Sequence, residues 1–221
     1  MTAYTRLSAV FLLTIGLFLP APPVYALTAP ELAARLQESY DKTKDLKADF
    51  NQTTVLAAVN SKKEASGTLT IKKPGMMRYV YARPERQEWT IKADDVIIYT
   101  PGQNQVINKT LSRGSLDRTP ATFLAGLGKI TDSFEPRLSG SGEKDGKGRY
   151  VLELVPKGKG MGVKDIVLVL DPDNFNILGF TFTETSGNIN SFRFSNIKIN
   201  SGIKESVFNF RIPKGAELIG E

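Results

Sequence analysis

Residues 67–84, GTLTIKKPGMMRYVYARP, read as two amphipathic strands hinged at Lys73-Pro74-Gly75. Before the hinge, Leu69 and Ile71 fall on one face and Thr70 and Lys72 on the other. After it, Met77, Tyr79 and Tyr81 alternate with Arg78, Val80 and Ala82, the period of two that marks a half-buried strand. Pro74 has no amide donor and biases Lys73 toward extended geometry, while Gly75 accepts the positive φ of a tight turn. Arg78 prefers water, so the face carrying Met77, Tyr79 and Tyr81 is expected inside and Val80 outside.

The same period runs through most of the chain. Strands are expected at 46–56, 66–73, 76–82, 87–92, 96–100 and 104–109, then at 149–155, 163–170, 177–184, 190–199 and 207–212. Phe180 with Phe182, Phe192 with Phe194, and Phe208 with Phe210 alternate with polar neighbours, as in a one-sided antiparallel sheet. Pro101-Gly102, Asp145-Gly146, Gly158 to Gly162, Asp171 to Asn174 and Ser186-Gly187-Asn188 supply the turns. Two segments depart from this pattern. Thr28-Ala29-Pro30-Glu31 is a capping box, and Leu32, Leu36 and Tyr40 continue at helical spacing, which predicts a helix over 29–42. Thr119 to Lys129, TPATFLAGLGK, predicts a second, short helix with Phe123, Leu124 and Leu127 on one side. The fold class is therefore mainly β: a single curved antiparallel sheet with two helical segments, too apolar on one face to lie open unfilled.

Composition narrows the function. The first 26 residues have the form of an export signal, with Arg6 ahead of the apolar run Ala9–Leu19 and small residues ending at Ala26. Cleavage there leaves residues 27–221 as one domain and lowers the formal net charge from +6 to +5, since Arg6 is the charge lost. The remaining basic residues are spread along strand faces, and an exported chain is not expected to meet nucleic acid. With no Cys the protein carries no disulfide and no lipid of its own; with neither Cys nor His it has no triad nucleophile and no thiolate or imidazole metal site. No cofactor, metal or catalytic residue is expected. Asp171-Pro172-Asp173-Asn174 fails as a calcium loop because Asn176 and Phe182 stand where Gly and Glu are needed, and Gly142–Gly148 lacks the spacing of a phosphate loop. Met76, Met77, Tyr79, Tyr81 and Trp89 read by themselves as core, with the wall of a cavity as the alternative.

The pattern G-x-L-x-I-K-K-P-G-x-x-R-Y-x-Y-x-x-P at 67–84 resembles the LolA family of outer-membrane lipoprotein carriers. Asp49-Phe50-Asn51-Gln52, Trp89-Thr90-Ile91, Val96 to Pro101, Gln105-Val106, Thr119-Pro120 with Phe123-Leu124, and Asp171-Pro172 before Leu178-Gly179-Phe180 extend the likeness in order. The resemblance implies an incomplete barrel of about eleven strands with a helical lid. It implies a cavity lined by Leu69, Ile71, Met77, Tyr79, Tyr81, Trp89, Ile91, Phe123, Leu124 and Leu127, with flexible Met and broad aromatic rings suited to varied acyl chains. Lys73 stands where the family has an arginine that latches the barrel to its lid. The implied function is that of a monomeric periplasmic chaperone and not an enzyme. It would take lipoproteins from an ATP-driven inner-membrane releasing complex to an outer-membrane acceptor. A carrier or sensor of another lipid on the same fold, like the lipid-sensing regulators of envelope stress, is the alternative.

Overall fold

The computed structural model describes residues 27–110, 129–139, 144–158 and 162–219. The expected export signal, the helix expected over 119–129 except Lys129, and with it Phe123, Leu124 and Leu127 lie outside the described residues.

Helix α1 (Ala29–Lys42) starts where its capping box directs: Thr28 Oγ1 accepts from the Glu31 amide, and a Glu31 carboxylate oxygen accepts from the Thr28 amide at 2.8 Å. Its apolar stripe, Leu32, Ala33 and Leu36, is buried. A short helix, α2 (Ile130–Ser133), packs beside it and leads into the last part of the sheet.

Twelve strands form one sheet. The first six are β1 (Asp45–Leu56), β2 (Ser61–Lys72), β3 (Met76–Arg83), β4 (Gln87–Lys92), β5 (Asp95–Thr100) and β6 (Gln105–Thr110). Next come β7 (Phe134–Leu138), β8 (Tyr150–Pro156), β9 (Val163–Leu170), β10 (Ile177–Glu184), β11 (Ile189–Ile199) and β12 (Glu217–Ile219). Their order is β12-β6-β5-β4-β3-β2-β1-β11-β10-β9-β8-β7. Every pairing is antiparallel except that of β12 with β6. The edge strands β12 and β7 do not pair with each other, so the barrel is incomplete, as expected. The β2–β3 hinge turns at Gly75 with φ +70°, after a cis Lys73–Pro74 peptide.

Two glycines stand beside register shifts, Gly67 in β2 and Gly179 in β10. A Cβ at Gly67 would collide with the Val80 carbonyl oxygen, and one at Gly179 would come within 2.5 Å of the Phe192 oxygen. Only glycine permits that backbone approach, and the bulges curl the sheet.

Ten of the eleven expected strands are present; 207–212 is not a strand. Residues Glu205–Phe208 form a 3-10 turn that packs on β3 and β4, with Phe208 only 1% exposed. The physical reason is that this segment crosses the face of strands already paired on both sides, where no free edge offers a ladder. Phe208 and Phe210 alternate in sequence, yet they pack on the convex face: the Phe210 ring lies 5.6 Å from that of Tyr99. Two strands carry too weak a sequence signal to be expected. Pro136 interrupts the period of β7, which is tolerated because β7 is an edge strand, and β12 has only three residues.

The segment after β11 straps the convex side. Buried Asp45 at the start of β1 accepts from the amides of Ser201, Gly202 and Ile203 and from the Ser201 hydroxyl. Lys72 Nζ donates to the Ile203 carbonyl, Lys92 Nζ to Asn209 Oδ1, and Asn104 Nδ2 to the Gly215 carbonyl. The strap ends as β12 against β6.

Candidate functional site

The concave face is built from cross-strand rows. Leu69, Tyr79, Trp89 and Ile98 are register partners in succession from β2 to β5, and Ile71, Met77, Ile91 and Val96 form the next row. Alternation therefore places the sequence-expected Leu69, Ile71, Met77, Tyr79, Tyr81, Trp89 and Ile91 on one surface. Leu69, Ile71, Met77 and Ile91 are buried in the apolar cluster, Tyr79 and Tyr81 are partly buried against it, and Trp89 is 37% exposed. The opposite face carries Arg78, whose guanidinium donates to both oxygens of Glu88 at 2.7 and 2.9 Å.

On the other side of β1 the wall is aromatic. Phe50 meets the Tyr81 ring edge-on at 5.1 Å and the Tyr79 ring at 5.7 Å, while Phe180 stacks on Phe192 at 4.8 Å. Gly67 pairs with both Phe50 and Tyr81. Burial pushes the phenol pKa values of Tyr79 and Tyr81 upward, so both hydroxyls stay neutral.

Where α1 ends, the concave face opens into a small apolar pocket. Leu36 and Tyr40 of α1, Leu46 of β1, Leu69 and Ile71 of β2, Phe175 and Ile177 at the β9–β10 turn, and Phe194 of β11 are among its walls. Polar contacts hold the last turns of α1 over this mouth, among them Asn200 Nδ2, which donates to the Lys42 carbonyl oxygen at 3.0 Å. Ser39 Oγ donates to Asn176 Oδ1 at 2.9 Å. Lys73 Nζ donates to the Tyr40 carbonyl oxygen and sits 3.0 Å from the centre of the Tyr40 ring. Burial lowers the Lys73 pKa to about 8, against the opposing pull of Asp41.

At the opposite end of the concave face the side chains become polar. Tyr81 Oη donates to Gln52 Oε1 at 3.0 Å, Gln52 Nε2 to Thr54 Oγ1 at 3.2 Å, and Thr54 Oγ1 to Asn190 Oδ1 at 2.8 Å. Gln87 Nε2 donates to Thr100 Oγ1 and Gln87 Oε1 accepts from the Trp89 indole at 2.7 Å. An open groove runs beside these groups, lined by Gln52, Thr54, Tyr81, Gln87 and Trp89 and also by the charged Lys63, Glu64 and Glu85.

The sequence list of wall residues omits Phe50, Tyr40, Phe175 and Phe194. Phe50 was accessible to the same alternation, two positions on from Ala48 and four from Leu46. Phe175 had no such signal: it holds φ +59° in a turn and reaches the wall only because the turn folds it back onto Tyr150, 5.4 Å away. Chemically, the surface offers contact and exclusion of water over its length, with polar groups confined to its ends.

The chain is similar to known proteins. The family model for outer membrane lipoprotein carrier protein LolA matches residues 41–211. An outer-membrane lipoprotein carrier protein of Methylococcus capsulatus is 27% identical over 193 residues, 87% of this chain and 88% of that one. One of Pseudomonas putida is 29% identical over 220 residues, 98% of each. Among solved structures, an uncharacterized conserved protein of Thermus thermophilus shares the fold at a TM-score of 0.56 and 15% identity, over 87% of this chain and 99% of that one.

Proposed function

The chain belongs to the outer membrane lipoprotein carrier (LolA) family, and from that premise we propose that it shelters the acyl chains of lipoproteins on its concave face while they cross the periplasm. The observation that carries this reading is the continuous apolar wall from Leu69 through Met77 to Phe180, opening beside α1 into an apolar mouth. Energetics explain why a carrier is needed: each methylene exposed to water costs about 0.8 kcal/mol, so several acyl chains cost tens of kcal/mol. Free passage through water is negligible at that cost. Shielding requires no chemistry on the cargo, only a surface that is covered when empty and uncovered when loaded.

In this reading residues 1–26 direct export and are removed near Ala26, and residues 27–221 are the carrier, unlipidated for want of a Cys. Helix α1 is the cover, and Lys73 pins its last turn through Tyr40. A lysine makes this latch without the fixed multidentate fork of an arginine, so it releases more readily. Leu69, Ile71, Met77, Tyr79, Tyr81, Trp89 and Ile91 contact acyl chains once the cover moves. An inner-membrane releasing complex loads the monomer and an outer-membrane acceptor unloads it.

Mass spectrometry of organic and peptide extracts from protein purified from the periplasm tests the reading. Triacylated peptides at near one per protein are the expected result. Free lipid alone would make the protein a carrier of another amphiphile, and an empty protein that fails to take up a lipoprotein from membranes would overturn the proposal.

A further inference from the structure

Resting on the carrier reading, we propose that the polar rim formed by Gln52, Thr54, Asn190 and Gln87, with Tyr81 and Trp89 beside them, is a second subsite that binds the polypeptide backbone just beyond the lipidated residue. Acyl chains have no donors or acceptors, and polar side chains facing them would be desolvated for nothing. A row of amides and hydroxyls on an otherwise apolar wall therefore points to an occupant with hydrogen bonds to make. A lipoprotein supplies one immediately beside its acyl chains: the repeating N–H and C=O of its first residues.

The geometry fits an extended peptide. Gln52 lies on β1 and Gln87 on β4, three strands away, or about 14 Å, the length of about four extended residues. Between them β2 contributes Ala65 and Gly67 on that face and β3 contributes Tyr81, whose ring a peptide would cross. Each glutamine has one partner on its oxygen and one on its nitrogen: Tyr81 and Thr54 for Gln52, and Trp89 and Thr100 for Gln87. Among the described residues each carboxamide keeps one N–H and one lone pair to spare, the complement of a peptide group. Such pairing reads backbone and not side chains, which suits a carrier of cargo with differing sequences. The exposed Trp89 ring gives the peptide a flat, sequence-tolerant surface.

Trp89 is the one tryptophan in the chain, so its fluorescence reports on this rim. Three probes are titrated into the purified protein: a tripalmitoyl-cysteinyl pentapeptide with neutral side chains, tripalmitoyl-cysteine amide lacking the peptide, and the pentapeptide without lipid. The wild type is expected to bind the first at least tenfold tighter than the second, with a Trp89 emission spectrum in the first complex that differs from that in the second. In Gln52→Ala/Gln87→Ala the advantage falls to twofold or less, while affinity for tripalmitoyl-cysteine amide stays within twofold of wild type. Should the double variant fail to fold by circular dichroism, Gln87→Ala alone, a partly exposed residue at a strand start, is expected to lower the advantage about threefold. Equal wild-type affinity for the two lipidated probes, or equal losses for both in the variants, would overturn the subsite and leave the carrier reading intact. Binding of neither lipidated probe would overturn both, and tight binding of the bare pentapeptide would make the rim a peptide site independent of lipid and overturn the proposal as stated.

Discussion

At the scale of single residues, the face assignment in β3 is the sharpest claim. Met77 is fully buried among Leu69, Ile71 and Ile91, whereas Val80 stands on the convex face opposite Glu88 and Thr68. Met77→Glu places a carboxylate in that wall and is expected to lower the unfolding free energy by about 2–5 kcal/mol, relieved in part as the new acid protonates. Val80→Gln should change it by about 0.5 kcal/mol or less. Urea unfolding of the two variants checks this, and the reverse order would put the other face inside. Lys73 makes a second prediction, with a definite sign. Its folded pKa, about 8, lies below the 10.5 of a free lysine. Between those values the unfolded chain binds more protons, so this side chain makes stability rise with pH from about 8 to 10.5. Lys73→Met should remove that rise, seen as a flatter profile of melting temperature against pH. The Lys73 pairing with Tyr40 could not be anticipated in detail from sequence, because helical spacing gives the stripe of α1 but not which carbonyl its last turn presents to the β2–β3 hinge.

At the scale of elements, the strap after β11 behaves as a unit. Its anchor is Asp45: burial pushes this carboxyl up, but hydrogen bonds from Ser201, Ile203 and Gly202 outweigh burial and leave its pKa below the usual 3.8. A lowered folded pKa gives stability that is present above about pH 4 and lost as pH falls through the folded value. Asp45→Asn is therefore expected to destabilise the protein at neutral pH and to flatten its acid loss. Phe208→Ala empties a fully buried site and should cost about 3–5 kcal/mol. If the strap is a unit, both variants become susceptible to limited proteolysis between 200 and 213 while strands β7 to β10 keep their hydrogen-exchange protection. Cleavage spread evenly over the sheet would contradict this. The strap also explains where strand reading fails: alternation of Phe208 and Phe210 reports that one side is apolar, and is silent about whether a free edge exists to pair with.

At the scale of the whole molecule, an open sheet works as a carrier only if α1 can leave the mouth. Ser39 and Asn176 touch across it, and the chain has no cysteine of its own, so Ser39→Cys/Asn176→Cys gives one unambiguous disulfide. The oxidised protein is expected to take up an apolar dye or a triacylated peptide at least tenfold more slowly than the reduced form, with reductant restoring the rate in a stopped-flow experiment. Uptake unaffected by oxidation would mean that ligands enter elsewhere. The amino-acid sequence alone determined the mainly β class, ten of the strands, α1 to its cap, and the inward face of β2 and β3. All of these follow from local periodicity, capping and turn chemistry within a dozen residues. Tertiary structure alone decided that 201–213 lies flat on the convex side, that β7 and β12 complete the edges, and that Phe175 and Tyr40 meet Lys73 and Leu69 around one mouth. Those outcomes depend on which edges remain unpaired and which surfaces remain uncovered after the sheet has curled, and that information is carried by contacts between residues distant in sequence, 33 positions for Tyr40 and Lys73 and 157 for Asp45 and Gly202.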